Sequence, residues 1–272
     1  MIKKLKISEL KNKAEWVWKE TLKIHHDSPE TRVASSLSPI EILVTLYYGG
    51  FANITPKNPY SLKRDRIIIS KGHGSLCMYP ILADLGFFKK SELKNVCKPG
   101  SFLGGIPDPV IPGYETINGS LGHGVGVGSG VALALRKKNI DKQVFVLTGD
   151  GELHEGSNWE AFMFASQHKL DNLFVFVDNN KISMLDHTDK ILSHRNLSKK
   201  METFGWKVFD VSDGHDVSLI VKALTLAKKN IEKKPKMIIF NTNKGNKVPN
   251  LQNLSLSHVI AIKPEMIKSL IK

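Results

Sequence analysis

The chain has 272 residues, 41% hydrophobic and 24% charged, the balance of a globular protein with a substantial core. Its net charge of +13 raises nucleic-acid binding, but the lysines are scattered and no aromatic-and-basic RNA motif or zinc-finger spacing accompanies them, so no nucleic-acid partner is expected. The basic N-terminus lacks an apolar signal core, no stretch approaches a membrane-spanning helix, and Cys77 and Cys97 form no CxxC, so a cytoplasmic chain with two free thiols and no membrane partner is expected.

Residues 8–26 form an amphipathic helical pattern, with Leu10, Ala14, Val17, Trp18 and Thr21 on one face. A second helix follows in "SPIEILVTLYYGG", with Ser38 expected as N-cap, Pro39 in the first turn and a glycine stop. Residues 66–70 read as a short strand, and "LCMYPILADLG" as a helix behind it. Residues 97–118 are rich in Pro and Gly and read as an ordered loop, and "SLGHGVGVGSGVALALRKK" passes from loop into helix. Residues 143–148 and 173–177 read as strands buried on both faces, with a helix over 157–169 between them. That helix is expected to place Trp159, Phe162, Met163 and Ser166 on one side. A strand at 206–211, a helix from 216 and a strand at 237–242 complete the pattern. Strands alternating with helices predict an α/β fold, a mostly parallel twisted sheet with helices on both faces. No low-complexity linker divides the chain, so one domain over 1–272 is expected.

Ligands of such sheets bind outside the carboxyl ends of the strands. Three predicted strand ends are polar: Lys71-Gly72-His73-Gly74, Gly149-Asp150-Gly151 and Asp178-Asn179-Asn180. The last two belong to one βαβ unit, which should be right-handed and parallel. If its strands are neighbours they lie about 4.8 Å apart, and Asp150 and Asn180 sit together past the sheet edge. One carboxylate and one amide oxygen suit a hard cation at about 2.0–2.6 Å, and Mg²⁺ completes its shell with waters and substrate phosphates. Gly151 removes a side chain where a diphosphate must approach, and a helix N-terminus follows. Taken singly, each tripeptide fits a capped βα turn better, and it is their joint placement on adjacent strand ends that favours the cation site. The glycine run from Gly122 to Gly130 lacks both a preceding strand and a suitably placed acid, so it does not indicate a dinucleotide loop.

In the segments "GDGELHEGSNWEA" and "LDNLFVFVDNNKIS" the chain resembles the thiamine diphosphate motif, a GDG followed by NN. "RDRIIISKGHGS", "GYETINGSLGHGVGVGSGVAL" and "METFGWKVFDVSDGHD" extend the resemblance, in order, to the N-terminal part of transketolase over roughly 36–245. The resemblance implies thiamine diphosphate with Mg²⁺ or Ca²⁺ as cofactors. By position it assigns the metal to Asp150, Asn180 and the main-chain oxygen of Ile182, and the diphosphate to Gly151. Gly119 and Leu121 would line the organic rings, His73 would sit near diphosphate and substrate, and Glu155 would join a carboxylate network at a subunit interface. The implied activity moves a two-carbon ketol unit from a ketose or ketose phosphate to an aldose, so small sugars are the expected substrates.

Such an enzyme also needs a pyrimidine-binding domain, for which the chain has no room. The resemblance therefore implies a separate transketolase C-terminal-like partner chain, in an α₂β₂ assembly. Two positions depart from the family. In "HHDSPETRVASSLS" Arg32 falls where the family has a histidine, with His25 and His26 as nearby substitutes, and in "LGGIPDP" Ile106 replaces another. His26, Arg32 and His258 are thus the candidate substrate residues, and a donor other than the usual pentose phosphates is expected. Rival readings are a deoxyxylulose-phosphate-synthase-like or 2-oxo-acid-dehydrogenase-like subunit, which lack the RDR–GHGS and FGW–DGHD segments, and a non-catalytic regulatory subunit.

Overall fold

Five runs of β-branched and aromatic residues pair into one sheet in the computed structural model, which describes residues 4–272. In chain order the elements are α1 (Ile7–Asp27), α2 (Val33–Leu37), α3 (Ile40–Tyr48), β1 (Arg66–Ile69), α4 (Met78–Leu85), α5 (Gly124–Lys137), β2 (Val144–Gly149) and α6 (Gly156–Gln167). Then come β3 (Leu173–Asn179), α7 (Thr188–Leu192), α8 (Leu197–Thr203), β4 (Lys207–Val211), α9 (Val217–Lys229), β5 (Lys236–Asn241) and α10 (Pro264–Leu270). The strand order is β1-β2-β3-β5-β4, and every pair is parallel. β2 and β3 are neighbours, with Gly149 opposite Asp178, so their polar ends leave the sheet side by side.

A parallel sheet needs cover on both faces, and alternate residues along each strand provide for it. Phe145, Leu147, Phe174, Phe176, Ile238 and Phe240 pack into one core with Trp18, Leu43, Ile81 and Leu224 from α1, α3, α4 and α9. Val144, Val146, Val175, Val177, Met237 and Ile239 pack into the other with Val125, Phe162 and Met201 from α5, α6 and α8. On α5 the glycine repeat serves this packing: a Cβ on Gly128 would lie 2.5 Å from Val146 Cγ2. Among the described residues no helix is long and apolar enough to cross a membrane.

Leu10, Ala14, Val17, Trp18 and Thr21 of α1 are all buried, as their spacing predicts. Two local expectations fail. Ser38 does not cap α3, whose N-cap is Pro39; its hydroxyl donates instead to Asp178 Oδ2 at 2.6 Å, on β3. Met163 does not share the buried face of α6: it is 55% exposed, and the buried stripe is Asn158, Ala161, Phe162 and Ala165. The "RDR" segment is a brace. Arg64 donates from both terminal nitrogens to Glu115, and Asp65 accepts from the main chain of Asn53 at 2.6 Å and Gln143 at 2.9 Å. This fixes the loop that leads into Gly119 and Leu121. The "DGHD" segment is a second brace: His215 accepts at Nε2 from Asn243 N–H (2.8 Å) and donates from Nδ1 to Glu41 (3.0 Å).

Candidate active site

Four strand ends deliver polar groups to one cavity of about 610 Å³ outside the carboxyl edge of the sheet. Lys71 and His73 follow β1, Asp150 follows β2, Asn180 follows β3 and Lys244 follows β5. The turn after β2 puts Asp150 at the start of a single 3₁₀ turn, where its Oδ1 accepts from Gly151 N–H at 2.9 Å. Its Oδ2 accepts from Lys181 N–H, on the neighbouring strand end, at 2.6 Å. Burial, and then the Asp178 charge, push the Asp150 carboxyl up to about 7. An approaching cation would reverse that penalty.

Asn180 is oriented by both halves of its amide. Nδ2 donates to Asp178 Oδ2 at 3.3 Å, and Oδ1 accepts from Ile182 N–H at 3.1 Å. Main-chain oxygens of Ile182 and Ser183 accept from Lys244 Nζ at 3.2 and 2.9 Å. Lys244 is itself buried; burial and then Lys71 lower its ammonium to about 8, so it remains a cation at neutral pH.

Beneath these groups Asp178 is a buried hub. It accepts from Lys71 Nζ, Ser38 Oγ, Thr242 Oγ1 and Asn180 Nδ2, and so ties β1, β3, β5 and the α2–α3 junction together. Lys71 also donates to Ser35 O at 3.0 Å. Glu152 is the second buried carboxylate. It accepts from Ser70 Oγ, from Gly122 N–H at 2.9 Å and from Gly149 N–H at 3.2 Å, and thus locks the glycine loop onto the ends of β1 and β2. Of the acids in "GDGELHEG", only Glu155 is exposed, at the cavity rim.

His73 and His258 meet edge to face in the cavity, with ring centroids 4.8 Å apart, and His258 Nδ1 shares a hydrogen bond with Ser35 Oγ at 3.2 Å. Burial, followed by Lys71, His258 and Lys244, lowers His73 to about 2; burial, Lys244 and Arg32 lower His258 to about 4. Both are neutral imidazoles at physiological pH. Arg32, Ile106, Gly119, Leu121, Gly151 and Ile182 line the same cavity. His26 does not: it pairs with Asp27 at 2.9 Å and lines a separate cavity beside Trp16 and Ile271. Nor does His25, which is buried, hydrogen-bonds Thr31 Oγ1 at 2.9 Å and accepts from Ile262 N–H at 3.2 Å. Neither histidine stands in for the one replaced by Arg32. Strand-end reasoning on three ends named Lys71 and Asp178 without giving them a role, and it missed Ser35, Glu152 and Lys244. Extending it to the end of β5 would have found Lys244.

The residues fit a hard divalent cation. A carboxylate, an amide oxygen and a main-chain carbonyl are all oxygen donors, and an ammonium already stands on that carbonyl. No cluster of three His, Cys, Asp or Glu exists among the described residues, so such an ion would need further oxygens from a ligand. A Cβ on Gly151 would lie 3.1 Å from Ser183 Cβ, so a side chain there would press on the loop after β3.

This is an α/β diphosphate-site architecture, and the chain belongs to the transketolase family: the family's thiamine diphosphate binding domain matches residues 33–272. It is 39% identical to an apulose-4-phosphate transketolase subunit of Actinobacillus succinogenes over 243 residues, 89% of this chain and 87% of that protein. It is 37% identical to the 6-deoxy-6-sulfo-D-fructose transketolase subunit SqwG of Clostridium sp. strain MSTE9, covering 87% of this chain and 86% of that protein. The transketolase structure from Campylobacter jejuni superposes with a TM-score of 0.89 at 31% identity, over 98% of this chain. The present chain spans only 42% of that transketolase's length.

Proposed function

We propose that this chain is the diphosphate-binding subunit of a split, cytoplasmic transketolase, active with a separate pyrimidine-domain chain in an α₂β₂ assembly. The reading rests on one observation: Asp150, Gly151, Asn180, Ile182 and His73 line a single cavity. The named relatives of matching length are transketolase subunits, which supports the split.

When bound, thiamine diphosphate supplies the nucleophilic carbon that accepts and releases the two-carbon unit. Asp150, Asn180 Oδ1 and Ile182 O would hold Mg²⁺ or Ca²⁺. Gly151 admits the diphosphate, and Lys244, which lines the cavity, offers it a cationic partner. Gly119 and Leu121 would face the organic part of the cofactor. His73, neutral and hydrogen-bond competent, orients donor oxygens rather than delivering a proton from an imidazolium. His258, braced by Ser35 and edge to face with His73, would do the same beside it. Exposed Arg32 would meet an anionic group on the sugar; the relatives' names refer to a sugar phosphate and a sulfo-sugar. Glu155, on the rim, would face the partner chain.

Ketol transfer by the chain alone and with a co-expressed pyrimidine-domain chain tests the proposal. Transfer is expected only from the pair, and lost in the Asp150→Ala pair. Turnover by the chain alone at the rate of the pair would refute the split.

A further inference from the structure

We propose that the Lys244 ammonium is a tethered placeholder for the divalent cation, capping the Ile182 carbonyl while the ion is absent and leaving it when the ion binds. The inference rests on the cation site proposed above. The loop after β3 turns at Lys181, with φ of 64°, and is closed by a bridge between Ile182 and His187 and by Ser183 N–H donating to Asp186 O at 3.0 Å. This turn brings the Ile182 and Ser183 carbonyls onto one buried ammonium.

Among the described residues no Asp or Glu oxygen lies within ion-pair distance of Lys244 Nζ, although Asp150 and Asp178 both exert a favourable charge on it. Buried lysines elsewhere in the site are handled differently: Lys71 has a direct carboxylate partner in Asp178. Lys244 is therefore held by two main-chain dipoles and a distant field, an arrangement that would hold any cation. A second cation cannot join it on the Ile182 oxygen, because like charges repel strongly where water is scarce. The tethered charge must move, and Lys244 lines the cavity, so an anion bound there offers it a new partner. Anion and cation should therefore bind cooperatively, each strengthening the other by the same factor.

Mn²⁺ binding to the full chain, counted by electron paramagnetic resonance with and without inorganic diphosphate, tests this. Wild type should bind Mn²⁺ weakly alone and about tenfold more tightly with diphosphate. Lys244→Met should bind Mn²⁺ alone about tenfold more tightly than wild type and show a smaller diphosphate effect, that of direct coordination alone. Equal Mn²⁺ affinity in the two proteins without diphosphate would overturn the exchange. Removing a charge also favours a cation in general, so a crystal structure of wild type with Mn²⁺ provides a second reading. Nζ should have left the Ile182 carbonyl; Nζ still on both carbonyls beside bound Mn²⁺ would overturn the proposal. Asp150→Ala separates the two levels: undiminished Mn²⁺ binding there removes the cation site itself. Binding lost in Asp150→Ala, with no response to Lys244→Met, overturns only the exchange.

Discussion

Lys71→Met should destabilise the protein through Asp178, and the structure sets the size. Lys71 and Asp178 are both fully buried, and removing one partner of such a pair costs about 3–5 kcal/mol. In Lys71→Met the carboxylate keeps Ser38, Thr242 and Asn180 as donors, so the cost should fall near the lower bound, about 3 kcal/mol. Asp178→Leu takes the acceptor from all four donors and leaves Lys71 with the Ser35 carbonyl, so about 5 kcal/mol is expected. The double variant removes both charges, and its cost should fall short of the sum of the single costs by about 2 kcal/mol or more. Urea denaturation of the four proteins at neutral pH measures each term. Additivity within about 0.5 kcal/mol would refute the reasoning, because it would mean the two charges do not depend on each other. The pH dependence carries the same signature. Burial alone would raise the Asp178 carboxyl, but Lys71, Ser38 and Thr242 bring it below 3.8 overall. Its contribution is therefore complete above that value and lost as pH falls through the lower folded one.

Two further outcomes follow from named contacts. Asp150 is pushed up to about 7, so in the cofactor-free chain a proton competes with the cation; Mg²⁺-dependent cofactor binding should weaken about tenfold per pH unit below that point, with proton release on binding. Calorimetry in buffers of different ionisation enthalpy reads the proton count, and a flat response from about pH 6 to 8 would contradict the assignment. Gly128→Leu should lift α5 from β2, since even a Cβ there meets Val146 at 2.5 Å; a loss of about 1–3 kcal/mol in urea is expected, and an unchanged midpoint would show that α5 packs elsewhere.

The fold was legible wherever one segment's residues decide its fate. Residues 144–147 and 173–177 are all apolar, so the segments 143–148 and 173–177 read as strands buried on both faces, and the α/β alternation then implied a parallel sheet. The glycine-flanked Asp150 and the Asn180 that faces it across the βαβ unit were legible for the same reason, as was their joint place in one cavity. What escaped was set by distant partners. Ser38 carries every local mark of a helix cap, yet a carboxylate 140 positions away in the chain takes its hydroxyl. Met163 is misleading because the large rings of Trp159 and Phe162 suggest its face, whereas the small residues Ala161 and Ala165 lie against the sheet. Asp178 and Lys244 resemble ordinary loop-edge polar residues; only convergence of the strand ends gives them partners. His25 and His26 are plausible substitutes by type, but the helix that carries them turns one into the interior and the other toward α10.

Asp150 and its neighbours are proposed to hold a cation and, through it, a diphosphate. Titration calorimetry of thiamine diphosphate with Mg²⁺, on the chain co-purified with its pyrimidine-domain partner, tests this most directly. The expected result is Mg²⁺-dependent binding that Asp150→Ala weakens by about 100-fold or more, the loss that follows when a principal charged ligand is removed. Equal affinity in wild type and Asp150→Ala would contradict it.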